Sequence, residues 1–174
     1  MVFNNNNKIF LLGFMGSGKS TIGRKLAKLL GYDFIDLDKL IELKAQMTIA
    51  SYLQQHGETA FREFERYTLH HSTYPEKVVI ATGGGTPCFY DTMDWLNKSG
   101  ITIYISLPIA GLVNRLKNAK TERPLIKNMN EDELIRFITK ELTERECFYQ
   151  RANFMVSGID LTAEKLVQYL ELVN

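Results

Sequence analysis

The chain is 174 residues long, 45% hydrophobic and 24% charged, with a formal net charge of +1 at pH 7. Those values describe an ordinary soluble protein of one domain, large enough to bury a real core. Acids and bases are interspersed with no basic block, which argues against a nucleic-acid partner, and no apolar run is long enough to cross a membrane. Met1 to Asn7 is short and Asn-rich rather than basic and then apolar, so a flexible tail is expected there and not a signal peptide. Cys88 and Cys147 form no C-x-x-C pair and read as two reduced thiols of a cytoplasmic protein. His56, His70 and His71 lack the H-x-x-x-H spacing of a zinc helix. Nothing demands an assembly, so a monomer is expected.

In chain order, Ile9–Gly13 reads as a buried strand leading into Gly13-Phe14-Met15-Gly16-Ser17-Gly18-Lys19-Ser20. That run satisfies G-x-x-x-x-G-K-[ST] at every fixed position. Its glycines let backbone N–H groups turn inward onto phosphate oxygens, at the positive end of the next helix. Lys19 would reach the β- and γ-phosphates, and the Ser20 hydroxyl would ligate Mg²⁺. The helix is expected over Lys19–Leu30, with Gly31 as its stop. The sequence thus points to a nucleoside triphosphate as ligand.

A second strand, Asp33–Asp36, ends in Asp36-Leu37-Asp38. Alternate strand residues point to opposite sides, so one carboxylate could sit near Mg²⁺ while the other meets a substrate hydroxyl. The alternative is that Asp38 caps a helix over Asp38–Lys44. Helices Ile49–Gly57 and Glu58–His71 come next, and in the second Arg62 and Glu65 share a face. Arg62 suits a carboxylate that Glu65 would help orient, or the two form a solvated ion pair. The strand Val78–Thr82 runs straight into Gly83-Gly84-Gly85, a costly run that signals close approach of backbone to a ligand, or a sharp turn.

Beyond a helix at Tyr90–Ser99, a strand at Ile101–Ser106 and a helix at Ile109–Lys117 lies a polar, irregular stretch, residues 117–130, broken by Pro124. Connections of that length often act as active-site lids, and Arg123 favours that reading over a plain surface loop. The helix Asn130–Arg151 carries Arg145 and Tyr149, and spacing alone does not separate a functional Arg145 from a surface one. A strand at Phe154–Ser157 and a helix at Ala163–Leu172 complete the series. Strands alternating with helices specify an α/β fold built from βαβ units around a parallel sheet, with ligands beyond the carboxyl ends of the strands.

Taken in order, Gly13–Thr21, Asp36-Leu37-Asp38, Gly57-Glu58…Phe61-Arg62…Glu65, Gly83-Gly84-Gly85, Arg123-Pro124-Leu125 and Arg145…Tyr149 resemble the shikimate kinase family from Ile9 to about Leu170. The resemblance implies a three-layer nucleoside-monophosphate-kinase-like fold, with a five-stranded parallel sheet between helices and a lid. It also implies transfer of the γ-phosphoryl of ATP to the 3-hydroxyl of shikimate, on the route to chorismate and the aromatic amino acids. By the same resemblance Gly16, Ser17, Gly18, Lys19, Ser20 and Thr21 bind ATP, while Ser20 and Asp36 support Mg²⁺. Asp38 binds the acceptor hydroxyls as candidate base. Arg62 and Arg145 clamp the substrate carboxylate beside Glu65, Gly83, Gly84 and Gly85 line the substrate, and Arg123 swings in from the lid to the phosphates. Arg115 falls near the family's adenine-stacking arginine, and Ser157-Gly158-Ile159-Asp160 near its adenine loop. Cys147 stands where the family often has proline. A gluconate kinase would share the phosphate loop and lid but has no need of two clamp arginines, and an ATP-hydrolysing switch protein would leave Asp38, Arg62 and the glycines without a task.

Overall fold

The computed structural model describes residues 7–119 and 124–172. Within them, five strands form one sheet: β1 (Lys8–Leu12), β2 (Asp33–Asp36), β3 (Val78–Ala81), β4 (Ile101–Ser106) and β5 (Phe154–Ser157). Their order across the sheet is β2-β3-β1-β4-β5, and every pairing is parallel. Among the same described residues, seven helices connect and cover them: α1 (Lys19–Leu30), α2 (Leu37–Ala45), α3 (Ile49–His71), α4 (Thr92–Ser99), α5 (Ile109–Lys117), α6 (Glu131–Tyr149) and α7 (Ala163–Leu172).

The sheet is buried on both faces because its central strand is apolar on both. Ile9 and Leu11 of β1 pack with Leu26, Ala27, Leu166 and Leu170 of α1 and α7. Phe10 and Leu12, one residue out of phase, pack with Leu37, Ile41, Leu69 and Leu96 of α2, α3 and α4. A third cluster joins Phe14 to Leu112, Leu116, Leu134 and Ile138, so α5 and α6 dock beside the phosphate loop rather than under the sheet.

Register decides where the motifs meet. Asp36 is level with Ala81, and Ala81 with Leu11, so the segments after β1, β2 and β3 leave the sheet at one rim. Thr82 fastens that rim, since its backbone N–H and its hydroxyl both donate to the Leu11 carbonyl, at 3.1 and 3.0 Å.

Several boundaries differ from expectation for local reasons. The strand expected over Ile9–Gly13 stops at Leu12 because Gly13 has φ 138°. Asp36, not Asp38, caps α2: its carboxylate accepts from the Lys39 N–H at 3.4 Å, which sets the first helical residue at Leu37. Tyr90 has φ 55° and lies outside the helix expected from it, so α4 starts at Thr92 after a 3₁₀ turn at Thr86–Cys88. Asn130 is the cap of α6 rather than its first residue. Its side chain accepts from the Glu133 N–H at 2.9 Å, and the Glu133 carboxylate accepts from the Asn130 N–H at 2.8 Å. The two helices expected across Gly57 run as one element broken there, at φ 79°, ψ 172°.

Gly100, between α4 and β4, has a tight surrounding: a methyl group on it would stand 2.4 Å from the Lys8 carbonyl oxygen and 2.8 Å from the Phe10 ring. Backbone cannot yield as a side chain can. Gly100→Ala is expected to lower stability by about 1–3 kcal/mol, the usual scale for overpacking. Urea unfolding at unchanged m-value checks it, and an unaltered midpoint would contradict it.

Candidate active site

The phosphate loop starts where β1 ends. Gly13, Gly16 and Gly18 have φ of 138°, 82° and 102°, the left-handed region that favours glycine. Gly13 has a second reason, since a methyl group there would lie 2.7 Å from the Ile105 carbonyl oxygen. No side chain caps α1 at Gly18, so its first amides are left facing the loop. The buried Lys19 ammonium donates to the carbonyls of Gly13 and Phe14 at 2.7 and 2.9 Å, and the Ser17 hydroxyl is buried without a hydrogen bond among the described residues. A loop of inward amides with a lysine and a buried hydroxyl suits a polyphosphate.

Next to it, the Ser20 hydroxyl donates to Asp36 at 2.7 Å. An adjoining hydroxyl and carboxylate are the hard oxygen donors that Mg²⁺ takes when most of its shell is phosphate and water. Among the described residues no group of three or more His, Cys, Asp or Glu could hold a metal by itself. The Ser20–Asp36 pair therefore fits a phosphate-borne Mg²⁺ better than an all-protein cage.

Asp38 occupies the first turn of α2, and burial is the main reason its carboxyl is pushed up to about 6. The negative charges of Asp36 and Glu65 push the same way, and Lys19 opposes them. Asp36 ends a strand and Asp38 sits on a helix, so the two carboxylates are set apart by the strand-to-helix turn and not by the alternation of a strand.

The triple glycine is the other wall. None of its residues lies in the left-handed φ region, so at Gly83 and Gly85 space rather than conformation calls for glycine. A methyl group on Gly83 would lie 2.8 Å from an Asp38 carboxylate oxygen and 3.2 Å from a Glu65 oxygen. On Gly84 it would lie 3.5 Å from Arg145 Nη1, and on Gly85 2.7 Å from Arg62 Nη2. The wall touches the acid on one side and both arginines on the other.

Arg62 and Glu65 are no solvated pair: the Arg62 Nη1 donates to Glu65 at 2.9 Å, with side chains 14% and 4% exposed. Glu58 lies 3.3 Å from the other nitrogen, and the guanidinium sits 4.3 Å from the Phe89 ring centre. Arg62 Nε is buried with no hydrogen bond among the described residues, a donor in reserve. Arg145 pairs with Glu141 and lies over the Phe14 ring at 5.6 Å. Glu65 also accepts from the buried Thr86 hydroxyl at 2.6 Å.

A cavity of about 510 Å³ joins the phosphate loop to both acids, lined among others by Gly16, Lys19, Asp36, Asp38, Gly84 and Arg115; Arg62, Glu65 and Arg145 do not line it. Arg115 donates to the carbonyls of Ser17 and Gly158, each at 2.9 Å, tying the phosphate loop to the segment expected to hold adenine. Arg123 lies outside the described residues. Thr86 and Phe89 carry no sequence signal, because their partners are set by the fold, whereas Glu141 stands four residues before Arg145 on α6, a helical spacing that could have flagged the pair. Cys88, pushed up to about 12 by burial, stays a thiol at neutral pH.

A phosphate loop at the end of β1, a carboxylate of raised pKa and paired arginines on the same rim define a phosphate-loop kinase of the nucleoside-monophosphate-kinase-like fold. The family model for shikimate kinase matches residues 15–173. A shikimate kinase from Parabacteroides distasonis is 42% identical over 160 residues, covering 92% of this chain and 90% of that one. The crystal structure of shikimate kinase from Bacteroides thetaiotaomicron superposes with a TM-score of 0.90 at 40% identity, covering 95% and 97% of the two chains. That from Acinetobacter baumannii, in complex with shikimate, gives 0.83 at 32%, covering 98% and 94%. The chain belongs to the shikimate kinase family. No helix among the described residues is long and apolar enough to cross a membrane.

Asp38 carries a stability cost with a definite sign. Its folded pKa stands above the unfolded one, so the folded state holds the proton more tightly; stability falls as pH rises from about 4 through about 6, and the loss is complete above that window. Asp38→Asn is expected to gain roughly 1–3 kcal/mol at pH 8 and nothing below pH 4. Denaturant unfolding at the two pH values measures it, and an equal gain at both would assign the effect to packing instead.

Proposed function

We propose that the chain transfers the γ-phosphoryl of ATP to the 3-hydroxyl of shikimate, giving shikimate 3-phosphate and ADP on the route to chorismate. The observation that carries the reading is the convergence of Arg62 and Arg145 on the Gly83–Gly85 wall, beside Asp38 and within the rim that holds the phosphate loop. Two planar cations suit a small carboxylic acid, and their fork geometry fixes its orientation as well as its charge.

In this reading the amides of Gly16 to Thr21 cradle the phosphates, and Lys19 exchanges its two carbonyl partners for phosphate oxygens. Mg²⁺, held by Ser20 and through Asp36, supplies charge neutralisation on the β- and γ-phosphates when bound. Arg62 and Arg145 hold the acid while Asp38 accepts the hydrogen bond of the attacking hydroxyl and takes its proton as the new O–P bond forms. The bond to the bridging oxygen breaks and ADP leaves with that electron pair. Arg123, in a lid over residues 117–130, adds charge at the phosphates, and lid closure excludes water as a competing acceptor. Arg115 and Ser157 to Asp160 shape the adenine end. Every group named comes from one chain, which suits a monomer with one kinase domain, and the cytoplasm supplies ATP, Mg²⁺ and reduced thiols.

ADP formation with Mg-ATP is expected with shikimate and not with quinate or gluconate; turnover with gluconate would overturn the acceptor. Arg145→Ala is expected to raise the shikimate KM about 10- to 100-fold, the worth of a hydrogen bond to a charged group, and to leave the ATP KM near its original value.

Asp38 must be ionised to accept the proton, so kcat/KM is expected to fall about tenfold per pH unit below about 6. Asp38→Asn should lower kcat at least about a hundredfold and abolish that limb. A limb that persists in the variant would belong to another group.

A further inference from the structure

We propose that Tyr149 is a positioning residue for the acceptor site, setting the separation between the Gly84 peptide and the Arg145 guanidinium. The inference rests on the acceptor reading above and adds a residue to it. Tyr149 is fully buried and lies one helical turn beyond Arg145 on α6, so the two share a face. Its hydroxyl donates to the Gly84 carbonyl at 2.6 Å, across 65 positions of sequence. Gly84 is also the wall residue nearest Arg145, whose Nη1 would stand in ordinary contact, 3.5 Å, from a methyl group there. One peptide therefore has the Tyr149 hydroxyl on its carbonyl and the Arg145 guanidinium beside its α-carbon.

The tie is braced from behind. The Tyr149 ring stacks on Tyr104 of β4, with centres 4.9 Å apart and planes at 29°. The Tyr104 hydroxyl donates to Glu146 at 2.9 Å, and Glu146 is the neighbour of Arg145. Two tyrosines thus register α6, one against the sheet and one against the glycine wall. Burial keeps the Tyr149 phenol protonated well past its ordinary range, which leaves it a donor throughout the working pH.

A buried tyrosine commonly finds some carbonyl to satisfy its hydroxyl. Here the carbonyl belongs to the segment that meets both clamp arginines, which gives the bond a consequence beyond packing. The Glu141 pair and the Phe14 ring orient the Arg145 guanidinium, and a fixed distance from the wall to the helix backbone is what lets the two arginines address one carboxylate.

The test is Tyr149→Phe, which keeps the ring and its stacking. The shikimate KM is expected to rise roughly three- to tenfold, the range of one net hydrogen bond, with the ATP KM changing less than twofold. In an Arg145→Ala background the same change should add almost nothing, because no separation remains to be set. Hydrogen exchange of the 83–86 amides should quicken in the variant while that of β1 and β4 does not. A lowered Tm with an unchanged shikimate KM, equal rises in both KM values, or full additivity with Arg145→Ala would each overturn the proposal. Failure of the acceptor reading shows separately, as wild-type protein that forms no ADP with shikimate; the exchange of the 83–86 amides, which needs no acceptor, then decides the Tyr149 tie by itself.

Discussion

The pairing of β1 with β3 is the contact on which the rest depends. These two strands are separated by α1, β2, α2 and α3 in the chain, yet their register puts Leu11 level with Ala81. The phosphate loop and the glycine wall are simply what each strand does next. A shift of one residue would turn the buried side chains of β1 to the wrong face and carry the loop away from the wall, so the core and the site are specified together. Thr82 adds a side-chain bond to the same carbonyl that its backbone engages, at the last level before the strands part.

Charge at the site is arranged in advance. Each of the two arginines beside the glycine wall already has carboxylate company, Arg62 with Glu58 and Glu65, Arg145 with Glu141. Removing a cation from water is costly, and a partner offsets much of that cost before any ligand arrives. The guanidinium groups are thus positioned and partly desolvated in advance. Glu65 has a further effect: its charge, with that of Asp36, helps hold the Asp38 proton, so the cluster that steadies Arg62 also tunes Asp38.

Much of this is legible in the sequence because it is local or periodic. The phosphate loop is contiguous, the strands are short apolar runs between turn signals, and α1, α5, α7 and three strands fall where their patterns place them. The misread boundaries, at Asp36, Tyr90 and Asn130, are positions where a cap or one left-handed residue decides, and apolar periodicity carries no information about those. Within the site, Arg62 and Glu65 can be paired from helical spacing, whereas their burial cannot. Thr86, Phe89 and Tyr149 meet their partners across 21, 27 and 65 positions. Such contacts are products of strand order, and a single chain read alone holds no signal for them.

A side chain at 83 or 85 would crowd its neighbours although neither position needs left-handed backbone, and this has an evolutionary consequence. Glycine is the smallest residue, so every replacement adds atoms; at 83 they would arrive against the Asp38 and Glu65 carboxylates, and at 85 against the Arg62 guanidinium. The segment also lies past the last paired residue of β3, outside the ladder that holds the sheet. Drift at codons 83 and 85 would therefore first displace Asp38, Glu65 and Arg62 in a protein that still folds, leaving a scaffold with its phosphate loop intact from which a differently shaped rim could begin.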